Sequence, residues 1–153
     1  MEHVSEKGWR SSIYRCNGCY TRYHLFPFLD KGAASNSKLE RTIKAYYEAR
    51  NKADTNEAVA LFRDDFKYVE YPYAPQGLTT KEELRTFLTM AKQMFPNIRF
   101  EIRELILSEK QKNGVVLWNL YNESGNLIAR GSSLFHVENG EITELEVGVY
   151  QLG

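Results

Sequence analysis

The sequence predicts an α+β domain in which helices cover one face of a curved, mainly antiparallel sheet. Three observations predict it. The first half carries three helix-starting patterns, the hydrophobic period switches from helical to alternating after Pro96, and turn residues then recur at hairpin spacing. At 153 residues the chain has the length of one domain with a sizeable core.

Residues 1–37 stand apart from the rest of the chain. "KGAASNSK" (31–38) reads as a linker, and the segment before it, "GWRSSIYRCNGCYTRYHLFPF", has no steady period of 2 or 3.6. This extension is expected to pack loosely or to be partly disordered. Cys16 and Cys19 suggest zinc or redox chemistry, but a structural zinc site takes four ligands and only His3 and His24 stand nearby. A thioredoxin-like pair would sit in a βαβ unit, which the pattern lacks. No metal and no cofactor are expected.

From Ser37 the signals become regular. Ser37-x-x-Glu40, Asp54-x-x-Glu57 and Thr80-x-x-Glu83 are capping-box patterns, each opening a helix. The first helix places Leu39, Ile43, Tyr46 and Tyr47 on one face. The second, near 55–63, carries Ala58, Leu61 and Phe62. The third, over 81–95, repeats Leu84, Phe87, Leu88, Ala91 and Phe95 at helical spacing. Between the last two, "FKYVEYPY" (66–73) reads as a short strand ended by Pro72 and Pro75. Strands are predicted over 98–109, 115–121, 127–138 and 141–150. Asn113-Gly114, Glu123–Asn126 and Asn139-Gly140 are the turns between them. Asn122 opens an "NES" sequon, which in this setting reads as part of a turn.

Bulk composition narrows the partners. Twenty acidic residues balance twenty basic ones, leaving no net field for nucleic acid or an anionic membrane. No apolar run approaches the roughly 18 residues of a membrane helix, and the first residues show no secretory signal. A cytoplasmic protein with reduced cysteines is expected. Aromatic residues make up 13% of the chain, ten of them tyrosines, which suits a cavity that holds and orients a small organic molecule; tyrosines also fill cores and dimer faces.

The last hairpin decides which side chains look inward. A plain two-residue loop at Asn139-Gly140 would pair Phe135 with Glu144 and Ser133 with Glu146, burying two charges at several kcal/mol each. A three-residue loop, Glu138-Asn139-Gly140 with a bulge at the glycine, pairs Phe135 with Thr143 and Ser133 with Leu145. Burial of the apolar row favours this second register. Ser133, Phe135, Leu145, Val147 and Val149 then face the helices, while His136, Glu144 and Glu146 face away.

Three strings carry a family resemblance: "AYYEARNKADTNEAVALFRDDFKYVEYP", "FPNIRFEI" and "ARGSSLFHVENGEITEL". Over residues 38–150 the chain resembles the cone-shaped, nuclear transport factor two-like domains, in particular SnoaL-like polyketide cyclases and ketosteroid isomerases. The resemblance implies a cone-shaped α+β domain over 38–153 and a homodimer through the convex sheet face. It also implies a role for Tyr46, which matches the family's helix-one tyrosine, a donor to a carbonyl or oxyanion. A core tyrosine is the alternative. The family's other proton carriers are replaced: Tyr71 stands where an aspartate precedes the proline, Ser133 where the oxyanion-hole aspartic acid stands, and Leu145 and Val147 where SnoaL-like enzymes place a histidine and an aspartate.

Glu70 is the one carboxylate able to stand in as proton carrier. Its charge favours the rim, beside Arg99 or Arg103, over an inward position following Phe66 and Tyr68. Asn119 is a further candidate, with Leu117 and Tyr121 on its face and Trp118 on the opposite one. Two function classes are open. In one, the cone binds a small, largely apolar molecule. Tyr46, Tyr71, Asn119 and Ser133 make the polar contacts, and Phe87, Phe135, Leu145, Val147 and Val149 form the walls. Any catalysis there would be cofactor-independent isomerase, lyase or hydrolase chemistry on Tyr46 and Glu70. In the other class the chain is a dimeric interaction module whose cavity its own aromatics fill.

Overall fold

The computed structural model describes residues 37–152 and the backbone of two short strands, β1 (Tyr14–Arg15) and β2 (Thr21–Tyr23). Cys16, Cys19, His3, His24 and most of the 31–38 linker lie outside the described residues. Three helices pack on a curved, mostly antiparallel sheet and form a cone.

Helix α1 (Lys38–Asn51) starts where the Ser37 side chain accepts the Glu40 amide at 3.1 Å. The Glu40 carboxylate does not complete a capping box; it pairs with Lys44 at 2.6 Å. Leu39, Ile43, Tyr46 and Tyr47 are buried on one face. The helix ends on Ala53 in the left-handed region, with the Asp54 amide bonded back to the Ala49 carbonyl at 2.9 Å. Asp54 then caps α2 (Thr55–Ala60) by accepting the Glu57 amide. Thus α2 is shorter than the expected 55–63, because Phe62 already belongs to a strand.

That strand, β3 (Phe62–Tyr71), begins four residues earlier than its pattern suggested. The chain reverses at a cis Tyr71–Pro72 peptide and returns as β4 (Ala74–Leu78), an element the prolines concealed. Pro75 is tolerated there because β4 is the sheet's edge, where an N–H need not serve a neighbour. Helix α3 (Lys81–Met94) carries a reciprocal capping box: Glu83 donates its amide to Thr80 Oγ1, and its carboxylate accepts the Thr80 amide.

The remaining strands are β5 (Arg99–Ser108), β6 (Asn113–Tyr121), β7 (Leu127–Glu138) and β8 (Glu141–Gln151). The sheet order is β1-β2-β5-β6-β7-β8-β3-β4, antiparallel throughout except where β3 lies parallel to β8. Asn113-Gly114 is not the turn expected; both residues are paired in β6, and the chain reverses over 109–112 with Lys112 at positive φ. Asn122 does sit in a turn, its side chain accepting the Asn126 amide.

The β7–β8 hairpin corrects the expected three-residue loop. Glu138 pairs with Glu141 across a two-residue turn, with Asn139 and Gly140 both at positive φ, as a primed turn requires. An extra residue, Thr143, then bulges from β8, so that Val137 pairs with Ile142 and His136 with Glu144. Beyond the bulge Phe135 pairs with Leu145 and Ser133 with Val147, two residues on from the expected partners. The bulge removes the conflict that made the two-residue loop unattractive. Leu145 and Val147 are buried, and Glu144 and Glu146 are exposed. No helix among the described residues is long and apolar enough to cross a membrane.

Candidate functional site

Between α1, α3 and the concave sheet face lies a cavity of about 290 Å³, close to the lower end of the range usual for ligand pockets. Its polar side is built from α1 and β3. Helical spacing puts Tyr46, Tyr47 and Arg50 on the face of α1 that overlooks the sheet, and strand alternation puts Tyr68 and Glu70 on the inward face of β3. Arg50 Nη1 donates to Tyr46 Oη at 3.0 Å, and Tyr68 Oη donates to Glu70 Oε1 at 2.7 Å.

A second polar knot lies deeper. Ser133 Oγ accepts from Tyr47 Oη at 2.9 Å and from Trp118 Nε1 at 3.0 Å, all three side chains being buried. Trp118 fits because it lies over Gly131, the residue it pairs with in β7; a Cβ there would meet Trp118 Cζ2 at 2.1 Å. Apolar walls come from Phe87, Met90 and Met94 of α3, Phe95 and Ile98 beyond it, and Val147 and Val149 of β8.

Burial sets the electrostatics. It raises the pKa of Tyr46, with the Arg50 charge and hydrogen bond opposing and Glu70 adding to the rise. Burial likewise raises Tyr47 and, strongly, Tyr68. The Glu70 carboxyl is also pushed up by burial, against the hydrogen bond from Tyr68 and the Arg50 charge. For Arg50, burial works to lower the pKa, but Tyr46, Tyr68 and Glu70 outweigh it, so the guanidinium stays charged. Among the described residues no group of three or more His, Cys, Asp or Glu side chains could hold a metal ion.

Of the residues singled out from sequence, Tyr46, Glu70, Phe87, Ser133, Val147 and Val149 meet at this cavity. Four do not. Tyr71 points to the other side of the sheet and is 48% exposed. Asn119 also faces away, its amide donating to Tyr121 Oη at 3.4 Å, while Trp118 is the inward residue of that pair. Phe135 and Leu145 are inward but lie under the cavity floor, Phe135 packed edge-on against Tyr46 and Tyr47. Glu70 is not on the rim with Arg99 or Arg103; Arg99 pairs with Glu101 and stacks on Tyr121. His136 faces away from the cavity, its Nδ1 at 2.6 Å from Asn113 Oδ1.

Sequence reasoning passed over Arg50. It gave no site role to Tyr47, placed on the buried face of the first helix, to Tyr68, placed on the face of an inward Glu70, or to Trp118, read as dimer-interface or core surface opposite Asn119. Arg50 had a readable signal, standing four residues after Tyr46 and three after Tyr47 on one helical face. Tyr68 stands two residues before Glu70, so on a strand they share a face.

The chain belongs to the SnoaL-like domain family, whose model matches residues 43–145. Several solved structures share the fold. One is a protein of unknown function with a cystatin-like fold from Methylobium petroleophilum, with a TM-score of 0.64 and 16% identity over 78% of this chain and 80% of that one. A second is a nuclear transport factor two-like protein of unknown function from Cytophaga hutchinsonii, with a TM-score of 0.57 and 15% identity over 77% of this chain and 94% of that one. A third, from Catenulispora acidiphila, has a ketosteroid isomerase-like fold and was solved with trimethylamine. Its TM-score is 0.60 at 16% identity, over 72% of this chain and 85% of that one. At such identities the likeness concerns the fold alone. No curated protein matches the sequence.

Proposed function

We propose that the cone binds a small, largely apolar organic molecule and moves a proton on it without a cofactor, with Glu70 as proton carrier and Tyr46 as donor to a carbonyl oxygen. The observation that carries this reading is the shared cavity: both side chains line it, and apolar walls surround them. Arg50 donates into the Tyr46 oxygen, which leaves the phenol's own proton free to point at a ligand. Tyr68 occupies one Glu70 oxygen and leaves the other to accept or release a proton. In the step envisaged, Glu70 removes a proton beside the ligand carbonyl while Tyr46 hydrogen-bonds the developing enolate oxygen; returning the proton to another carbon completes an isomerisation, and loss of a leaving group completes an elimination. Isomerase- or dehydratase-like chemistry fits these two groups.

A thermal-shift screen of cyclic ketones and related small molecules tests binding, because a bound ligand stabilises the native state by mass action. For any ketone that binds, loss of the α-proton to deuterated water can be followed by NMR. Tyr46→Phe and Glu70→Gln are each expected to slow that exchange by about 10²-fold or more. Unchanged rates in both variants would rule out the proton chemistry, and the absence of any stabilising ligand would rule out the binding site.

We also propose a homodimer through the convex sheet face, where Tyr71, Leu134 and Tyr150 expose apolar surface. A module whose own aromatics fill the cone is the weaker reading, since the aromatics line the cavity and leave it open.

A further inference from the structure

We infer that the ligand of this cavity carries a carboxylate or an equally acidic oxygen, held by the Arg50 guanidinium, on a ring-bearing apolar body. The inference rests on the binding site proposed above and not on the proton transfer.

Arg50 is an unusual residue to place here. Its guanidinium lines the cavity and lies over the rings of Phe100 and Tyr46, 5.1 and 5.8 Å from their centroids. Among the described residues its one hydrogen bond goes to the neutral Tyr46 oxygen, and no carboxylate stands within ion-pairing distance of it. The nearest acidic neighbour, Glu70, has one oxygen engaged by Tyr68. A guanidinium has five N–H donors, so most of its fork has no acceptor among the described residues. Arg50 is half-buried, its hydrogen-bond partner is a neutral phenol, and Glu70 acts on it only at longer range. An anion brought against the open part of the fork therefore gains a charge-assisted contact that the described residues leave unmade.

The position is held rather than incidental. The neighbouring Asn51 clamps the start of β5, its amide donating to the Phe100 carbonyl at 2.9 Å and its oxygen accepting the Phe100 amide at 2.7 Å. This clamp sets the Phe100 ring on which Arg50 lies. The planar fork matches a carboxylate in two-point contact, which a lysine ammonium could not reproduce. Lining the same cavity, Met90, Met94 and Phe95 offer flexible and aromatic surface suited to a flat apolar body.

The test uses cinnamate and cinnamamide, a matched acid and neutral amide, titrated calorimetrically into the full chain at low salt. Cinnamate is expected to bind about tenfold or more tightly than cinnamamide, as charge-assisted hydrogen bonds imply. In Arg50→Met the preference is expected to vanish, cinnamate losing about tenfold or more affinity beyond any loss for cinnamamide, while an unchanged far-ultraviolet circular dichroism spectrum reports an intact fold. Arg50→Lys is expected to keep only part of the preference. If the wild type binds acid and amide equally, the anion inference is overturned while the binding site stands. If it binds neither, both are overturned. If Arg50→Met does not fold, the wild-type comparison alone still decides.

Discussion

Glu70 is a carboxyl turned into a mostly apolar cavity, and its stability signature follows from that placement. Burial holds its pKa above the usual carboxylate range, so the native state keeps a proton at pH values where the unfolded chain has lost it. Stability contributed by the group is therefore greatest in acid. It falls as pH rises from the unfolded value of about 4.3 through the raised native one. Glu70→Gln is expected to remove this slope: relative to wild type, the variant should gain stability as pH rises above about 4.3, as read from urea midpoints. Parallel curves would contradict it. Ser133 makes a different case, because its oxygen serves two buried donors. Ser133→Ala orphans both and is expected to cost about 2–3 kcal/mol in urea unfolding, whereas Tyr47→Phe, which leaves Trp118 its acceptor, should cost about 1 kcal/mol. Equal losses would show that the two donors find other partners.

At the scale of the element, what could be read beforehand depended on whether a strand's two faces differ. On β8 the acidic row and the aliphatic row are unlike, so the inward face was legible even though the loop length was not. On β6 both faces are apolar, Val116, Trp118 and Leu120 against Val115, Leu117 and Tyr121, so alternation gives no direction and Asn119 lies opposite to its expected side. On β3 the alternation of Phe66 and Tyr68 did point to Glu70, but the rarity of buried charges pulled the other way; Tyr68 and Arg50 are the local compensation. Edge strand β4 was hidden by Pro72 in the turn before it and by Pro75 within it, a residue that an edge tolerates. The β6–β7 pair also yields a test. Gly131→Ala would bring its Cβ to 2.1 Å from Trp118 Cζ2 and 2.5 Å from the Gly148 carbonyl oxygen. The expected result is a loss of about 1–3 kcal/mol together with a shifted tryptophan emission as the indole is displaced. An unchanged spectrum would mean that the backbone, not Trp118, yields.

For the whole molecule, the fold was the most legible feature, because capping patterns, period and turn spacing all agreed. The site was less so, since two of its polar partners, Arg50 and Tyr68, acquire meaning only once α1 and β3 face each other across the cone. The proposed dimer belongs to this scale as well. Leu134 and Tyr150 are 44% and 66% exposed on the convex face, and paired lysine substitutions there are expected to shift the protein to a monomer in sedimentation velocity while leaving the cavity's ligand affinity intact. A wild type that is monomeric at high concentration would remove the dimer.

One connection in the sheet has a temporal meaning. Strand β3 finds its parallel partner in β8, the final strand, and the residues that meet there, such as Tyr68 and Leu145, are far apart along the chain. Such long-range closure is entropically late in folding. The chamber therefore comes into being only with the arrival of the last strand, and any molecule that lodges in it reports on a completed chain rather than on an intermediate.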